Sequence, residues 1–498
     1  MYITYIIMEV AEINLDVGPG VLNSKGSINS EVPVVNSKSK SNSKSNSKKS
    51  LSKSKRSTSA SAVRRFTEKR AAKTVGKFMK KTGSKRKSEF LKAICSDSGV
   101  CIAFGKERKK IFDFFKGFTQ FDYLTGINAI GASTNGFVKE LEYEHNGYKA
   151  HAVLKSSQSK NADNLMYEYF VGLKVNDMAT QLPCFVETYG HYEYRTDADR
   201  KTFKMEKSGL KDLSTMLTPH KPSEIKYTES CENSINQCIL IQHIKGAKSI
   251  GDKIDQDFDF IINDLLYSLY QVYISLTWKR FLFTHYDLHL ENVILYKPAE
   301  GKYIQFHYHL SDTLVISFKS QYIVKLIDYG RSFVKPAGPS NSETYYNHLC
   351  AAPSCNAPPE QCGDESGYGR LSDPSLTADN HYISSRVNNI SHDLRLLNEL
   401  KTNISWYTQP FISNVRMRDV LYNIVGRVKY EGKYGTPPIT GTGKLGVKIE
   451  NVTDAEAYIR SAIKKKDQVD ANDAYYSGME KLGDMHIYGD KPMEFIPA

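Results

Sequence analysis

The sequence predicts an α+β protein with two lobes, the first rich in sheet and the second helical, preceded by a disordered basic tail. Between about Phe121 and Lys245, short runs of β-branched and aromatic residues alternate with turn residues. After Gly246, apolar residues recur at helical spacing, and 40% hydrophobic residues suit a folded chain of 498 residues. Residues 24–61 repeat Ser, Lys and Asn, a composition too polar to bury a core.

The basic charge of the chain is concentrated in its first 92 residues. They carry 21 Lys/Arg against 6 Asp/Glu, whereas the remainder carries 46 against 49, so the net charge of +12 belongs to the tail. We expect residues 1–92 to contact nucleic acid or an acidic partner, to be phosphorylated, or to act only as a solvated spacer. Residues 93–120 would form an N-terminal extension. The opening MYITYIIM is too short for a signal peptide or a membrane span, so a cytoplasmic location is expected.

The first lobe is predicted over residues 121–245. FVKELEYE and YKAHAVLKS flank His145, Asn146 and Gly147, which predicts an antiparallel hairpin because Asn and Gly tolerate positive φ. NLMYEYFVGLKVNDM has helical spacing, and PCFVETYGHYEY and INQCILIQHI are typical of strands. A polar insertion from about Arg195 to Ser234 separates these two strands.

The second lobe is predicted over residues 246–498. FDFIINDLLYSLYQVYISLTWKRFLF is apolar around most of its circumference and predicts one buried helix. VILY and YIVKLIDYG are typical of strands, and an aromatic-rich insertion from Ile304 to Gln321 lies between them. SHDLRLLNELK predicts an amphipathic helix capped by Ser391, and residues 430–498 are expected to complete the helical lobe.

Four separated sequence pieces carry groups suited to phosphoryl transfer from ATP, which requires positioning and charge balance. The first is the glycine turn IGASTNGFV, whose backbone amides would contact phosphate oxygens. We expect nucleotide contacts from Ile130, Gly131, Ala132, Ser133, Thr134, Asn135, Gly136, Phe137 and Val138. The second is Lys155 in AHAVLKS, whose ammonium would meet the α- and β-phosphates and be held by Glu168. Taken alone, the glycine sequence is better explained as an ordinary turn, and the lysine could extend from the end of an apolar strand to solvent.

The third piece is HYDLHLEN, residues 285–292, and the fourth is LIDYG, residues 326–330. Asp287 would accept or orient the proton of the attacking hydroxyl. Asn292 and Asp328 would supply oxygen ligands to Mg²⁺. A carboxylate crowded after an apolar helix is costly without a partner, which favours a functional explanation.

With these four pieces in this order, the chain resembles the eukaryotic-type protein kinase superfamily from about residue 121 to at least 400. GASTNGFV, AVLK, HYDLHLEN and DYG stand where the family has its glycine loop, VAIK lysine, HRDLKxxN loop and DFG. The resemblance implies that Gln242 to Ile244 form the hinge that meets adenine. It also implies that Asp393 is the buried aspartate bracing the catalytic loop, and that Pro359 and Glu360 correspond loosely to the family's APE.

Two departures narrow what the resemblance implies. Tyr286 replaces the arginine that pairs with activation-loop phosphate in many members, so that mode of control is not expected. His289 replaces the usual lysine, and HxDLHxxN is similar to aminoglycoside and choline kinases. Composition and motif style resemble serine/threonine kinases of large nucleocytoplasmic DNA viruses, mimivirus-like ones especially. A viral enzyme would act in the host cytoplasm, with packaging in the virion left open.

The expected function is therefore an ATP- and Mg²⁺-dependent kinase acting on Ser/Thr hydroxyls of proteins. A small-molecule kinase of the choline or aminoglycoside type is the alternative with the same chemistry. A pseudokinase scaffold, or a nucleic-acid-binding protein acting through the basic tail, are alternatives of other classes.

Overall fold

The computed structural model describes residues 102–335, 388–403 and 449–498 apart from short gaps, together with a few isolated positions. The gaps are 120, 134–135, 147, 158–164, 207, 210–211, 223–233 and 279, and the isolated positions are 367–368, 381–382, 421 and 423–424. The predicted tail, Thr134, Asn135, Pro359 and Glu360 lie outside the described residues. The described part is a mixed α+β structure with a sheet-rich region and helices, as the sequence predicts at this level.

The secondary-structure elements are numbered along the chain. The strands are β1 Leu124–Ser133, β2 Gly136–His145, β3 Tyr148–Ser157, β4 Thr188–Tyr194, β5 Ser208–Gly209, β6 Leu217–His220, β7 Gln237–Gln242, β8 Lys248–Ser249, β9 Leu282–Thr284, β10 Val293–Tyr296, β11 Lys302–Ser311, β12 Leu314–Ser320, β13 Ile323–Leu326, β14 Phe333–Lys335, β15 Gly367–Tyr368, β16 His381–Tyr382, β17 Glu480–Tyr488 and β18 Glu494–Pro497. The helices are α1 Arg108–Phe114, α2 Leu165–Ala179, α3 Asp197–Met205, α4 Leu213–Met216, α5 Ile250–Gln256, α6 Phe258–Asn263, α7 Leu265–Leu276, α8 Arg395–Asn403, α9 Val452–Ile463 and α10 Lys466–Tyr475.

The largest sheet of the described residues has the strand order β5-β1-β2-β3-β7-β4-β6. Its centre is the predicted hairpin, in which β2 and β3 pair from Gly136 opposite Ser157 to His145 opposite Tyr148. Asn146 has a φ of 52°, the left-handed conformation that the Asn-Gly turn predicts. The predicted polar insertion after Arg195 is partly structured, because α3, α4, β5 and β6 lie within it and both strands join the sheet.

Each face of this sheet is covered by apolar side chains. One face belongs to a hydrophobic cluster that includes Phe115, Phe118 and Leu154. Phe118 stacks on Tyr189 with ring centroids 4.6 Å apart, so the aromatic residues that precede β1 are part of the core. The other cluster contains most of α2 and continues through α7 and β13. A single apolar core therefore connects the predicted α2 helix to the elements that carry HYDLHLEN and LIDYG.

Two small sheets position the segments HYDLHLEN and LIDYG. Within the described residues β10 lies between β13 and β8, and β9 pairs with β14. Val293 is opposite Leu326, and the Ile327 N–H donates to the Asn292 carbonyl oxygen over 3.1 Å. The end of HYDLHLEN and the start of LIDYG are consequently adjacent, as two neighbouring strands require.

The prediction of a helical second lobe with two strands, VILY and YIVKLIDYG, is incomplete. The aromatic insertion forms the hairpin β11–β12, and this hairpin pairs with C-terminal strands in the order β12-β11-β17-β18. The β11–β17 pairing is parallel and joins residues that are far apart in the sequence, such as His307 and His486. Parallel pairing leaves no local turn signal in the sequence, which is why residues 480–497 were expected to be helical.

The prediction of one continuous buried helix from Phe258 onward is wrong. The segment divides into α6 and α7 at Asp264, and the chain becomes strand β9 at Leu282. Asp264 is 1% exposed, and its Oδ1 accepts hydrogen bonds from the Tyr476 hydroxyl over 2.5 Å and the Ser320 hydroxyl over 2.8 Å. At the junction of α6 and α7 this carboxylate therefore contacts the last residue of β12 and the residue that follows α10.

Burial raises the pKa of Asp264 to about 6, although the hydrogen bonds from Tyr476 and Ser320 act against that rise. A raised pKa in the folded state means that the stability contribution is complete below the unfolded pKa of about 4 and is lost as the pH rises through about 6. We expect Asp264→Asn, which mimics the protonated acid, to remove this loss. Chemical denaturation should show the wild type falling on the order of 2–3 kcal/mol relative to the variant between pH 4 and pH 7.

The matched control for this comparison is Asp312→Asn, in the exposed turn between β11 and β12. It should leave the pH dependence of the unfolding free energy unchanged. A constant difference between wild type and Asp264→Asn across this range would contradict the assignment.

The predicted cap at Ser391 is also wrong. Residues His392–Leu394 form a turn of 3₁₀ helix before α8 begins at Arg395, and the Ser391 side chain caps neither. Its hydroxyl instead donates to Asn389 Oδ1 over 3.1 Å. Among the described residues, no helix is long and apolar enough to cross a membrane.

Candidate active site

Lys155 is the centre of a buried charge cluster. Strand β3 places it opposite Val138 of β2 and Ile239 of β7, in the middle of the sheet. Its Nζ lies 2.7 Å from Glu168 Oε2 and 3.0 Å from Asp328 Oδ1. Lys155 is 9% exposed and Glu168 3%, so a low-dielectric environment strengthens their ion pair. The Asp328 side chain is 39% exposed, so solvent screens its pair with Lys155 more strongly. The structure thus brings together three predicted site residues from β3, α2 and the end of β13.

Asp328 has a backbone conformation that is uncommon for a residue other than glycine. Its φ is 68°, in the left-handed region, which turns the chain sharply at the end of β13. Burial alone would raise the pKa of the Asp328 carboxyl, but the charge and hydrogen bond of Lys155 lower it to about 2. His285 and Arg331 contribute in the same direction. The carboxylate is therefore ionised at neutral pH, as a cation ligand must be.

The loop HYDLHLEN is held by Asp393. Its two carboxylate oxygens accept hydrogen bonds from the backbone N–H groups of His285 over 2.7 Å and Tyr286 over 3.0 Å. Tyr286 has a φ of 62° and is completely buried, so these bonds fix a second left-handed residue at the site. His285 Nε2 lies 2.9 Å from the Ile327 carbonyl oxygen, which connects this loop to LIDYG. Asp393 occupies the bracing position that the resemblance implies.

Asp287 lies beside an arginine that the sequence did not single out. Arg395 Nη1 donates to Asp287 Oδ1 over 3.0 Å, and Arg395 Nε donates to Glu399 Oε1 over 2.8 Å. Glu399 Oε2 accepts a hydrogen bond from the Leu290 N–H over 3.2 Å. Helix α8 therefore contacts the loop at two positions, Asp287 and Leu290. Arg331 Nε is a further cation, 3.9 Å from Asp287 Oδ2.

His289, the other departure from the protein-kinase pattern, has a local structural role. Its Nδ1 accepts the Glu291 N–H over 3.3 Å and caps the 3₁₀ turn Leu290–Asn292. Burial lowers its pKa, so the imidazole is mainly neutral at physiological pH. The positive charge nearest Asp287 is consequently that of Arg395, and not that of residue 289.

Asn292 and Asp328 are the residues that could hold a divalent cation. The Asn292 amide nitrogen donates to the Asp287 carbonyl oxygen over 2.8 Å, which leaves the amide oxygen as the candidate ligand atom. Amide and carboxylate oxygens are the ligands that Mg²⁺ accepts in proteins. The donor chemistry therefore fits Mg²⁺ at the junction of β10 and β13.

The predicted glycine turn lies at the β1–β2 connection, with Gly131 opposite Val138, Ala132 opposite Phe137 and Ser133 opposite Gly136. A Cβ atom at Gly136 would collide with the Ser156 carbonyl oxygen, so sheet packing alone already requires glycine there. Ile130 is 44% exposed.

Two of the predicted turn residues differ in where their side chains lie. Val138 is next to Lys155 across the strands. The Phe137 side chain packs in the core against Tyr194 and Phe203, so only its backbone could reach a nucleotide.

The predicted hinge lies at the end of β7. The Gln242 N–H donates to the Glu187 carbonyl oxygen over 2.7 Å, so this donor already belongs to the sheet. The Ile244 carbonyl oxygen accepts the Ala247 N–H over 3.1 Å, and its side chain is in the core. Adenine contacts through these two groups would have to replace or share these bonds.

Sequence reasoning missed Arg395 and Arg331 as members of the site. Arg331 follows LIDYG directly, and Arg395 lies two residues after Asp393, so both are close to recognised motifs. The signal that could have found Arg395 is its place on a helix that begins beside the bracing aspartate.

The similarities to known proteins are distant. No family model matches the sequence. The chain is 26% identical over 207 residues to the uncharacterized protein 098R of Invertebrate iridescent virus 6, covering 36% of this chain and 34% of that protein. The chain thus spans about a third of the length of the viral relative. It is similar to the crystal structure of a kinase domain with 15% identity and a TM-score of 0.24, over 45% of this chain and 55% of that chain.

Proposed function

We propose that this chain is an ATP- and Mg²⁺-dependent phosphotransferase of the protein-kinase type. The observation that carries the proposal is the convergence of Lys155, Glu168 and Asp328, which come from three separate elements. A buried lysine held between two carboxylates is suited to meet phosphate oxygens beside a bound cation. Asp287, which Arg395 contacts, lies on the adjoining loop and is the proposed general base.

Each residue has a distinct task in the proposed reaction. Lys155 binds the α- and β-phosphates of ATP, and Asn292 with Asp328 would hold Mg²⁺, which neutralises charge on the transferred phosphoryl group. Asp287 accepts the proton of the acceptor hydroxyl as the hydroxyl oxygen attacks the γ-phosphorus, and the bond from that phosphorus to the bridging oxygen breaks to release ADP. Arg395 orients Asp287 through its hydrogen bond, and Arg331 is a second cation beside the same carboxylate.

A Ser/Thr hydroxyl of a protein is the proposed acceptor. His289 is the residue that favoured a choline- or aminoglycoside-type kinase. Its capping bond to Glu291 supplies a structural reason for histidine at that position, independent of the acceptor. The pseudokinase alternative is disfavoured because the lysine, both aspartates and the asparagine are present together. Host-cytoplasmic action of a viral enzyme, and contact of the basic tail with an acidic partner, belong to the same proposal.

The proposal is tested with the full-length chain and γ-labelled ATP in the presence of Mg²⁺. One arm offers generic acceptor proteins, and a second offers choline and aminoglycosides. Label on protein Ser or Thr is the expected result. Label found only on the small molecules would show that the acceptor is a small molecule and not a protein. If the chain neither transfers phosphate nor binds ATP, the proposed phosphotransferase activity is wrong.

Replacing Arg395 tests whether a helix α8 residue positions the base. We expect Arg395→Ala to lower kcat about 10- to 100-fold with little change in the KM for ATP, because it removes the strongest contact of Asp287. Steady-state kinetics with ATP varied would measure the two constants separately. The control is Arg460→Ala on helix α9, which removes the ion pair between Arg460 and Glu456 of that helix. Equal losses in both variants, or a change in KM alone, would contradict the positioning role.

A further inference from the structure

The outer face of the sheet β12-β11-β17-β18 carries a cluster of imidazoles that the proposed phosphotransfer does not use. Side chains alternate along β11, with Phe306 and Tyr308 in the core and His307 and His309 half-buried on the other face. On β17, Met485 and Ile487 are in the core, whereas Asp484 and His486 face outward. The period of two along each strand therefore collects these polar residues on one surface.

The parallel register brings the two strands' polar residues together. His307 is opposite His486, and their rings stack with centroids 4.6 Å apart. His307 Nε2 lies 3.0 Å from Asp484 Oδ1. One nitrogen each from His307 and His486 and one Asp484 oxygen lie within 4.8 Å of one another. A fourth candidate, His309, has its Nε2 3.1 Å from His486 Nδ1.

The two oxygens of the Asp484 carboxylate have different partners, and Oδ1 lies 3.0 Å from His307 Nε2. Lys481 holds Asp484 Oδ2 at 2.8 Å, so Oδ1 is directed to the histidines.

We propose that His307, Asp484 and His486 form a binding site for zinc(II), with His309 beside it. Tetrahedral zinc with bonds of about 2.0–2.1 Å separates its ligand atoms by roughly 3.3 Å. The 3.0 Å contact between His307 Nε2 and Asp484 Oδ1 is near that value, and the ligand atoms of all three residues lie within 4.8 Å of one another, so closure around the ion requires side-chain movement, chiefly of His486. Two or three imidazoles with one carboxylate favour zinc over Mg²⁺ or Ca²⁺, which take oxygen ligands.

A second cluster among the described residues contains Glu140, Glu142 and His151, and it has only one imidazole. Lys245 Nζ lies 2.7 Å from Glu140 Oε2 and 3.4 Å from Glu142 Oε1, so the chain supplies its own cation there. His151 Nδ1 also lies 2.9 Å from Glu140 Oε1. In the cluster on β11 and β17, by contrast, Lys481 contacts Asp484 Oδ2 and leaves Oδ1 beside His307, so the metal is assigned there.

Zinc at this position would connect two distant segments of the chain. It would bind β11 of the aromatic insertion to β17, which is otherwise joined through backbone pairing and core contacts. The predicted role is structural, because a metal that binds only the folded state stabilises that state. This inference does not depend on the proposed phosphotransferase activity.

The test uses untagged full-length protein stripped of metal and titrated with Zn²⁺ by calorimetry. We expect His307→Asn and His486→Asn to weaken a zinc site by more than about 100-fold, beyond the loss found for outer-shell partners of metal sites. Zinc should raise the Tm of the wild type and slow amide hydrogen exchange in residues 480–488, and both effects should be absent in the two variants. Mg²⁺ should not slow exchange in residues 480–488.

The matched control is His220→Asn, because His220 is a half-exposed histidine paired with a single carboxylate, Glu193, at 3.3 Å. It should retain wild-type zinc affinity and the wild-type response of the Tm. The metal-free variants should unfold at the wild-type temperature, which separates loss of a ligand from loss of fold. Unchanged zinc affinity in both His307→Asn and His486→Asn, or absence of zinc binding by the wild type, would overturn the proposal.

Discussion

Asp287→Asn is expected to reduce phosphoryl transfer about 10²- to 10⁴-fold, the range for losing a general base. Asparagine keeps the size of the side chain and can still accept from Arg395, but it cannot take the acceptor's proton. Because Asp287 belongs to the acceptor side of the proposed site, Mg²⁺-ATP affinity should remain near that of the wild type. Single-turnover transfer and equilibrium nucleotide binding would measure the two quantities separately.

The control for this variant is Asp312→Asn, an exposed aspartate in the β11–β12 turn. It should have wild-type transfer rates. Retention of full activity by Asp287→Asn would refute the assigned base. Loss of nucleotide affinity together with activity would move Asp287 from the acceptor side to the metal.

Lys155→Met is expected to remove both nucleotide affinity and part of the folding stability. The substitution leaves Glu168 and Asp328 without the cation that each contacts, 2.7 Å and 3.0 Å away. Breaking a buried ion pair from one side costs about 3–5 kcal/mol, so the free energy of unfolding should fall by roughly that amount. Phosphoryl transfer should fall by at least about 10²-fold, since a preorganised cation is lost from the phosphates.

The Lys155→Met variant also tests what lowers the pKa of Asp328. Without Lys155 the low pKa of Asp328 should rise, because the charge and hydrogen bond that lower it are gone. A depressed carboxyl pKa contributes stability above the unfolded value of about 4, and that contribution is lost as the pH falls through about 2. The wild type should therefore lose more stability than Lys155→Met between pH 4 and pH 2.

Lys253→Met is the control for Lys155→Met. It removes an i,i+4 pair with Asp257 on the edge of α5, where solvent screens the charges. Nucleotide affinity should not change in this variant. If Lys155→Met binds Mg²⁺-ATP as tightly as the wild type, the proposed phosphate contact is wrong.

Local sequence signals predicted the parts of the fold that local interactions determine. The Asn146 turn, strands β10 and β13 and helix α2 follow from turn chemistry and apolar periodicity. The pairing of Lys155 with Glu168 was also foreseen, because the strand and the helix that carry them are close in the chain. The roles of these residues in a reaction remain predictions.

Contacts between distant segments were not foreseen. Arg395 was part of an amphipathic pattern, and only the position of α8 beside the loop shows that it contacts Asp287. Asp264 looked like one polar residue in an apolar helix, until β12 and α10 supplied its hydrogen-bond partners. In both cases the deciding partner lies more than 50 residues away in the sequence.

The sequence by itself determined the α+β class, the order of the four motifs and the ionisable groups available to the candidate site. Only the tertiary structure decided that Asp328 and Glu168 share one lysine, that an arginine holds Asp287, and that His307 meets His486. Periodicity and turn residues encode interactions over a few positions, whereas the pairing of β11 with β17 depends on which apolar faces bury each other. That choice is made by the packed core as a whole, so no local stretch of the sequence records it.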